Sequence, residues 1–210
     1  MRKANHHLWY KTFVFGLGLL WCVPGNPSGE LALRTFLKNL KNLTGTFTQT
    51  VTVGGVEKKS EAASGTFAFS RPGKFVWEIR QPEFTSIVSN GRKVWIYDKA
   101  LEQVTVQKLG KGVPVGILEV LLGESDITRD FEVKDVSQGA VQAVQLVPKK
   151  DAGFVRAVLS FEKDKLTECT VEDAFGQVSR YRFASLDASV RFTSKNFEFT
   201  IPEGVDVIEN

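Results

Sequence analysis

Ser64–Pro82 reads SGTFAFSRPGKFVWEIRQP. Phe67 and Phe69 stand two apart before Arg71-Pro72-Gly73, and Phe75, Trp77 and Ile79 stand two apart after it. Alternation with a period of two is the strand period, and a Pro-Gly pair between two such runs is turn chemistry. The stretch therefore predicts two antiparallel strands with an aromatic face in common.

The same grammar extends in both directions. Further strands are predicted at Thr46–Val53, Thr85–Ser89, Lys93–Asp98 and Gln103–Lys108, then at Phe131–Val136, Ala140–Pro148, Phe154–Glu162, Leu166–Glu172, Gln177–Ser185 and Lys195–Ile201. Gly54-Gly55, Asn90-Gly91 and Asp173–Gly176 supply turns, and Asn90-Gly91 is a strong hairpin signal. Two helices interrupt the pattern. Leu33, Phe36, Leu37 and Leu40 fall at helical spacing, which with Ser28 as cap predicts a helix over Glu30–Asn42. Pro114–Leu122 (PVGILEVLL) predicts a short apolar helix stopped by Gly123. So many consecutive strands must bury one face, as a sandwich or as a curled barrel. A strongly curved sheet with two helices on its open side fits, and such a shape can enclose an apolar cavity. The common phase of Phe67, Phe69, Phe75 and Trp77 predicts that they line it.

The chain begins differently. Met1–Lys11 holds Arg2, Lys3 and Lys11 and no acid, Thr12–Val23 is apolar, and Pro24, Gly25, Asn26, Pro27 and Ser28 follow. That order predicts a secretory signal peptide over 1–28, cleaved between about 25 and 29, and one domain over 29–210. The apolar run is shorter than the roughly 20 residues of a membrane-spanning helix. Bulky Trp21 before Cys22 argues against a lipid-anchored N-terminus.

Lys and Arg number 27 and Asp and Glu 24; removing Arg2, Lys3 and Lys11 leaves 24 of each. A neutral mature chain lacks the electrostatic footprint of a nucleic-acid binder, so no nucleic-acid partner is expected. His6 and His7 are the only histidines. Without the leader, histidine-based triads and histidine metal sites are excluded. Cys169 is then the sole cysteine, in a strand-like stretch, and reads as a buried thiol. Gly110–Gly116 lacks the spacing and the βαβ context of a phosphate loop. Glu168 and Glu172 alternate as a solvated strand face would. No catalytic residue, cofactor or metal is expected, and the chain does not read as an enzyme.

Four blocks carry a resemblance. They are Ser64–Pro82, IVSNGRKVWIYDKALEQV at Ile87–Val104, DAFGQVSRYRF at Asp173–Phe183 and FEFTIPEGVDVI at Phe197–Ile208. In this order and spacing they resemble the LolA family of outer-membrane lipoprotein carriers, from about Glu30 to Asn210. The resemblance implies a mainly β fold, a single antiparallel sheet curled into an unclosed barrel of about eleven strands with a short-helix lid. It implies a periplasmic chaperone, working as a monomer. Such a carrier takes triacylated lipoproteins from an inner-membrane ATP-driven release complex and delivers them to an outer-membrane receptor. It further implies that Arg71 bonds to the lid and holds the empty cavity shut. Phe67, Phe69, Phe75 and Trp77 would lie in the cargo cavity or its mouth. Phe36, Leu37 and Leu40 would belong to the first lid helix, and Ile117, Leu118 and Leu121 to the second. A related lipid- or lipoprotein-binding sensor, or a carrier of another envelope lipid, is the alternative reading.

Overall fold

The computed structural model describes residues 28–58, 62–109, 120–121, 127–150 and 152–210. The predicted leader up to residue 27 and most of the second predicted helix, including Ile117 and Leu118, lie outside the described residues.

Helix α1 spans Gly29–Asn39, and the Ser28 side chain accepts from the Leu31 backbone N–H at its start. This caps one of the donors that every helix start leaves without a partner. The helix stops three residues before the predicted Asn42, because Leu40 is already extended and Asn42 opens the first strand.

Among the described residues thirteen strands form one sheet. They are β1 (Asn42–Val53), β2 (Val56–Glu57), β3 (Ala63–Ser70), β4 (Lys74–Gln81), β5 (Thr85–Asn90), β6 (Lys93–Asp98) and β7 (Gln103–Lys108). After a short helix α2 (Ile127–Asp130) come β8 (Phe131–Asp135), β9 (Gln142–Pro148), β10 (Arg156–Glu162), β11 (Lys165–Glu172), β12 (Gln177–Asp187) and β13 (Asp206–Glu209). Twelve lie in the order β13-β7-β6-β5-β4-β3-β1-β12-β11-β10-β9-β8, and β2 flanks β1. The sheet does not close into a barrel: β13 and β8 are its two edges.

Two features depart from the predicted sheet. β13 pairs parallel to β7, whereas every other ladder is antiparallel. Lys195–Ile201 is not a strand. Ser194–Phe197 is a 3-10 turn, and the chain then runs extended across the outer side of the sheet. There Phe199 faces Trp95 and Tyr97, with ring centroids 6.4 and 6.0 Å apart. This explains β5, whose residues Ser86–Ser89 are buried on both faces rather than alternately.

The main core lies inside the curl. It joins Leu33, Leu37 and Leu40 of α1 to Phe47, Phe67, Phe69, Phe75, Trp77, Val144, Leu159, Phe161, Tyr181 and Phe183 from strands across the sheet. Gly65 permits this density, since a Cβ there would stand 1.8 Å from the Glu78 carbonyl oxygen of the neighbouring strand.

Candidate functional site

The β3–β4 turn delivers Arg71. Its backbone N–H donates to the Lys41 carbonyl at 2.9 Å, which fixes the turn against the start of β1. The side chain then leaves the sheet. Nη1 donates to the Leu37 carbonyl of α1 at 3.2 Å. Nε and Nη2 both donate to the Leu121 carbonyl, at 2.9 and 2.7 Å. Leu37 lies in the last turn of α1, where carbonyls have no partner within the helix. A cation at that end also meets the negative pole of the helix dipole. One planar guanidinium thus satisfies two carbonyls from separate segments, a geometry its rigid fork of donors suits. The group is half-buried, and burial lowers its pKa from the ordinary value.

The other end of α1 is held by close contact and by the Asp135 carboxylate, whose pKa is lowered by hydrogen bonds from Ser137 and from the Glu30 and Gly29 backbone. The Gly29 N–H donates to Ser137 Oγ at 3.0 Å, and Ser137 Oγ also receives the Ala143 N–H at 3.0 Å. A Cβ on Gly29 would lie 2.2 Å from the Ala143 carbonyl oxygen, so only glycine lets the helix start this close to β9. α1 therefore sits on β8–β10 and is tied by its C-terminal end to the β3–β4 turn across the curl.

Phe67 faces Trp77 and Phe69 faces Phe75 across the β3–β4 ladder. All four are buried, at 3% exposure or less. Phe47 stacks on Trp77 with ring centroids 4.0 Å apart, Phe67 stacks on Trp77 at 5.7 Å, and Phe183 meets Phe67 edge-on at 5.6 Å. At this place the described rings pack directly on one another. An apolar cleft of about 310 Å³ lies elsewhere, beside the C-terminal half of α1. Phe36, Leu40, Leu43, Leu186 and Ala188 line it, with Asp164 and Lys165 at the β10–β11 turn. Phe36 also packs edge-on against Phe161.

The structure thus brings Arg71, Leu37 and Leu121 into one hydrogen-bonded unit, and Phe67, Phe69, Phe75 and Trp77 into one ring cluster. Phe36 and Leu40 line a separate cleft. Leu121 and its neighbour Val120 have helical backbone and are buried. Sequence reasoning missed Phe47, Tyr181 and Phe183, which complete the ring cluster; alternation in their strands was the available signal. It also missed Gly29 and Ser137, and no local signal joins residues 108 positions apart.

The chemistry of the site is apolar. Cys169, on the strand beside Tyr181, is buried, and desolvation pushes its thiol up. Among the described residues no group of histidine, cysteine or carboxylate side chains is arranged to hold a metal ion, and no helix is long and apolar enough to cross a membrane.

A solved structure of an uncharacterized conserved protein from Thermus thermophilus shares this fold. It has a TM-score of 0.54 at 15% identity and covers 86% of this chain and 98% of that one. An outer-membrane lipoprotein carrier protein of Dechloromonas aromatica is 36% identical over 84% of this chain and 85% of its own length. Its counterpart in Methylococcus capsulatus is 38% identical over 85% and 86%. The family model for outer membrane lipoprotein carrier protein LolA matches residues 38–200, a span that holds Arg71, Leu121 and the whole ring cluster. The chain belongs to the LolA family of outer-membrane lipoprotein carrier proteins.

Proposed function

We propose that this protein carries outer-membrane lipoproteins by enclosing their acyl chains in the apolar interior of its curled sheet. The observation that carries the reading is the Arg71 tie to Leu37 and Leu121. Beside the apolar contacts of Leu33, Leu37 and Leu40 in the core, one side chain supplies the hydrogen bonds that join α1 to the β3–β4 turn. Such a tie can open and close at modest cost, since a hydrogen bond to a charged group contributes about 1.5–3 kcal/mol. Each acyl CH₂ taken out of water gains about 0.8 kcal/mol, so a long chain can outweigh the tie and the repacking of the rings. With its rings packed on one another, the protein hides apolar surface that would otherwise draw it into aggregates.

In this reading residues 1–28 direct export, residues 29–210 form the carrier domain, and the protein works in the periplasm as a monomer without catalysing a reaction. It receives triacylated lipoproteins from an ATP-driven release complex of the inner membrane and passes them to an outer-membrane receptor. Phe67, Phe69, Phe75 and Trp77 contact cargo once α1 has moved, and Phe36, Leu37, Leu40, Ile117, Leu118 and Leu121 belong to the moving cover. The test is retention of a triacylated lipoprotein in a soluble complex after detergent removal. The same lipoprotein without its acyl chains should not be retained; equal retention of both forms would refute the reading.

A further inference from the structure

Charge in the β1–β7 half of the sheet is sorted by end. Lys41, Lys74, Arg92, Lys93 and Lys108 stand at the end where β1, β4 and β6 begin and β7 stops. The C-terminal segment adds Arg191 and Lys195 there. Asn42, at the start of β1, donates to the Val190 carbonyl, and Ser194 and Glu198 share a cleft of about 310 Å³ with Lys74, Asn90 and Arg92. Acids toward this end are Glu198, Glu209 opposite Val106, and Asp187 opposite Thr44. The opposite end of β4–β7 carries Glu83, Asp98, Glu102, Glu203 and Asp206, with Lys99 and Arg80.

The arginines of the basic end are also unpaired. Arg34, Arg80, Arg129, Arg156, Arg180 and Arg182 each pair with a carboxylate. Arg71 holds two carbonyls. Arg92 and Arg191 are the described arginines with neither kind of side-chain partner, and both lie on this rim. Lys93 sits directly opposite Lys108 in the β6–β7 ladder. Like charges in that position are destabilising, and no described carboxylate relieves them. A neutral mature chain that concentrates unpaired cations at one end, against its own stability, points to an anionic counter-surface.

We propose that this rim is a reversible contact site for an anionic lipid surface. A protein partner fits less well. Protein interfaces are depleted in lysine and centre on apolar or aromatic anchors. The rim is instead rich in strand-end lysines (Lys41, Lys74, Lys93 and Lys108), and among the described residues the most exposed large hydrophobics, Phe175, Leu101 and Val56, lie at the opposite end. Cations without an inserting anchor suit headgroup contact that forms and breaks with ionic strength. The rim adjoins Arg71, so contact would bring the tied end of α1 against the bilayer surface.

The test needs no cargo, so its outcome is separate from that of the carrier reading. Protein recovered from the soluble fraction of expressing cells is floated with vesicles of phosphatidylcholine, with or without about 30 mol% phosphatidylglycerol. Each cation near an anionic surface strengthens binding about fivefold. The wild type should float with the anionic vesicles at low salt, detach at high salt and ignore the neutral ones. R92E/K93E should lose about tenfold or more in partitioning, while K99E at the opposite end should bind as well as wild type; neither should melt below wild type, and R92E/K93E should melt slightly higher because K93E places a carboxylate opposite Lys108. Binding to neutral vesicles at equal strength, no binding to anionic ones, or unchanged binding by R92E/K93E would overturn the proposal.

Discussion

Arg71 and Leu121 are joined by two hydrogen bonds to one carbonyl oxygen, from Nε at 2.9 Å and Nη2 at 2.7 Å. The third donor used, Nη1, goes to Leu37 at the end of α1. Arg71→Leu removes all three, two from the Leu121 carbonyl and one from the Leu37 carbonyl. The helix end should open more often, with amide exchange in the last turn of α1 at least about tenfold faster, which corresponds to about 1.4 kcal/mol. The leucine also adds apolar surface where cargo would sit. Lipoprotein should therefore still bind but leave slowly, because release depends on the affinity difference between closed and loaded states. Normal exchange and normal handover by the variant would remove Arg71 from the account.

The opposite end of α1 gives a second prediction. Within a helix, glycine to alanine normally gains about 1 kcal/mol. At Gly29 the added methyl would lie 2.2 Å from the Ala143 carbonyl oxygen, and backbone cannot yield as a flexible side chain can. Overpacking of this kind costs about 1–3 kcal/mol, so the clash wins. Gly29→Ala should lower stability in urea and raise protease cleavage within α1. A stabilised variant would show that α1 does not dock on β9 as described.

Trp77 and Phe69 carry a third prediction. An open cavity at these positions would make their truncation mild. The observed stacking, with Trp77 at 1% exposure against Phe47, implies the reverse. Trp77→Ala and Phe69→Ala should each cost about 3–5 kcal/mol in urea unfolding. Uptake of acylated lipoprotein by the folded fraction should also fall. A large stability loss with unchanged uptake would make both residues core alone.

These outcomes trace how far the sequence could be read. Ser28 with the spacing of Leu33, Phe36 and Leu37 places the start and face of α1, because capping and periodicity are local, while its end falls three residues short of the predicted one. The Phe67–Trp77 and Phe69–Phe75 pairs follow from alternation about one turn. The bond from Arg71 to Leu121 spans 50 residues and came from the resemblance, not from periodicity. Phe197, Phe199 and Ile201 alternate like a strand, but an extended segment pressed on the outside of a sheet needs the same period. β13 gave no warning, since all four of its residues are exposed and its parallel partner is about a hundred positions away. The fate of the aromatic interior, packed or hollow, depends on how the sheet curls, which no single strand encodes.

A fourth prediction concerns alkali. Desolvation raises the Cys169 thiol above its usual 9.0, and it raises Tyr181 from 10.0 to about 12. Both groups are neutral in the fold and ionise more readily once unfolded. Their contribution to stability is thus complete below about pH 9 and declines as pH rises through the unfolded-state values. Urea midpoints should be flat for these groups up to about pH 8.5 and fall from there to about pH 11. A thiol reagent at about pH 8 should leave Cys169 untouched until denaturant is added. Rapid labelling of the native protein would contradict its burial.

The central claim is that the protein encloses acyl chains beneath a cover tied by Arg71. The most direct measurement is native mass spectrometry of the protein mixed with a triacylated lipoprotein, with wild type and Arg71→Leu each followed before and after adding acceptor membranes. The account predicts a one-to-one complex for both proteins, absent with de-acylated lipoprotein, that the wild type surrenders and the variant retains. Complexes that form equally well without acyl chains, or that both proteins surrender alike, would contradict it.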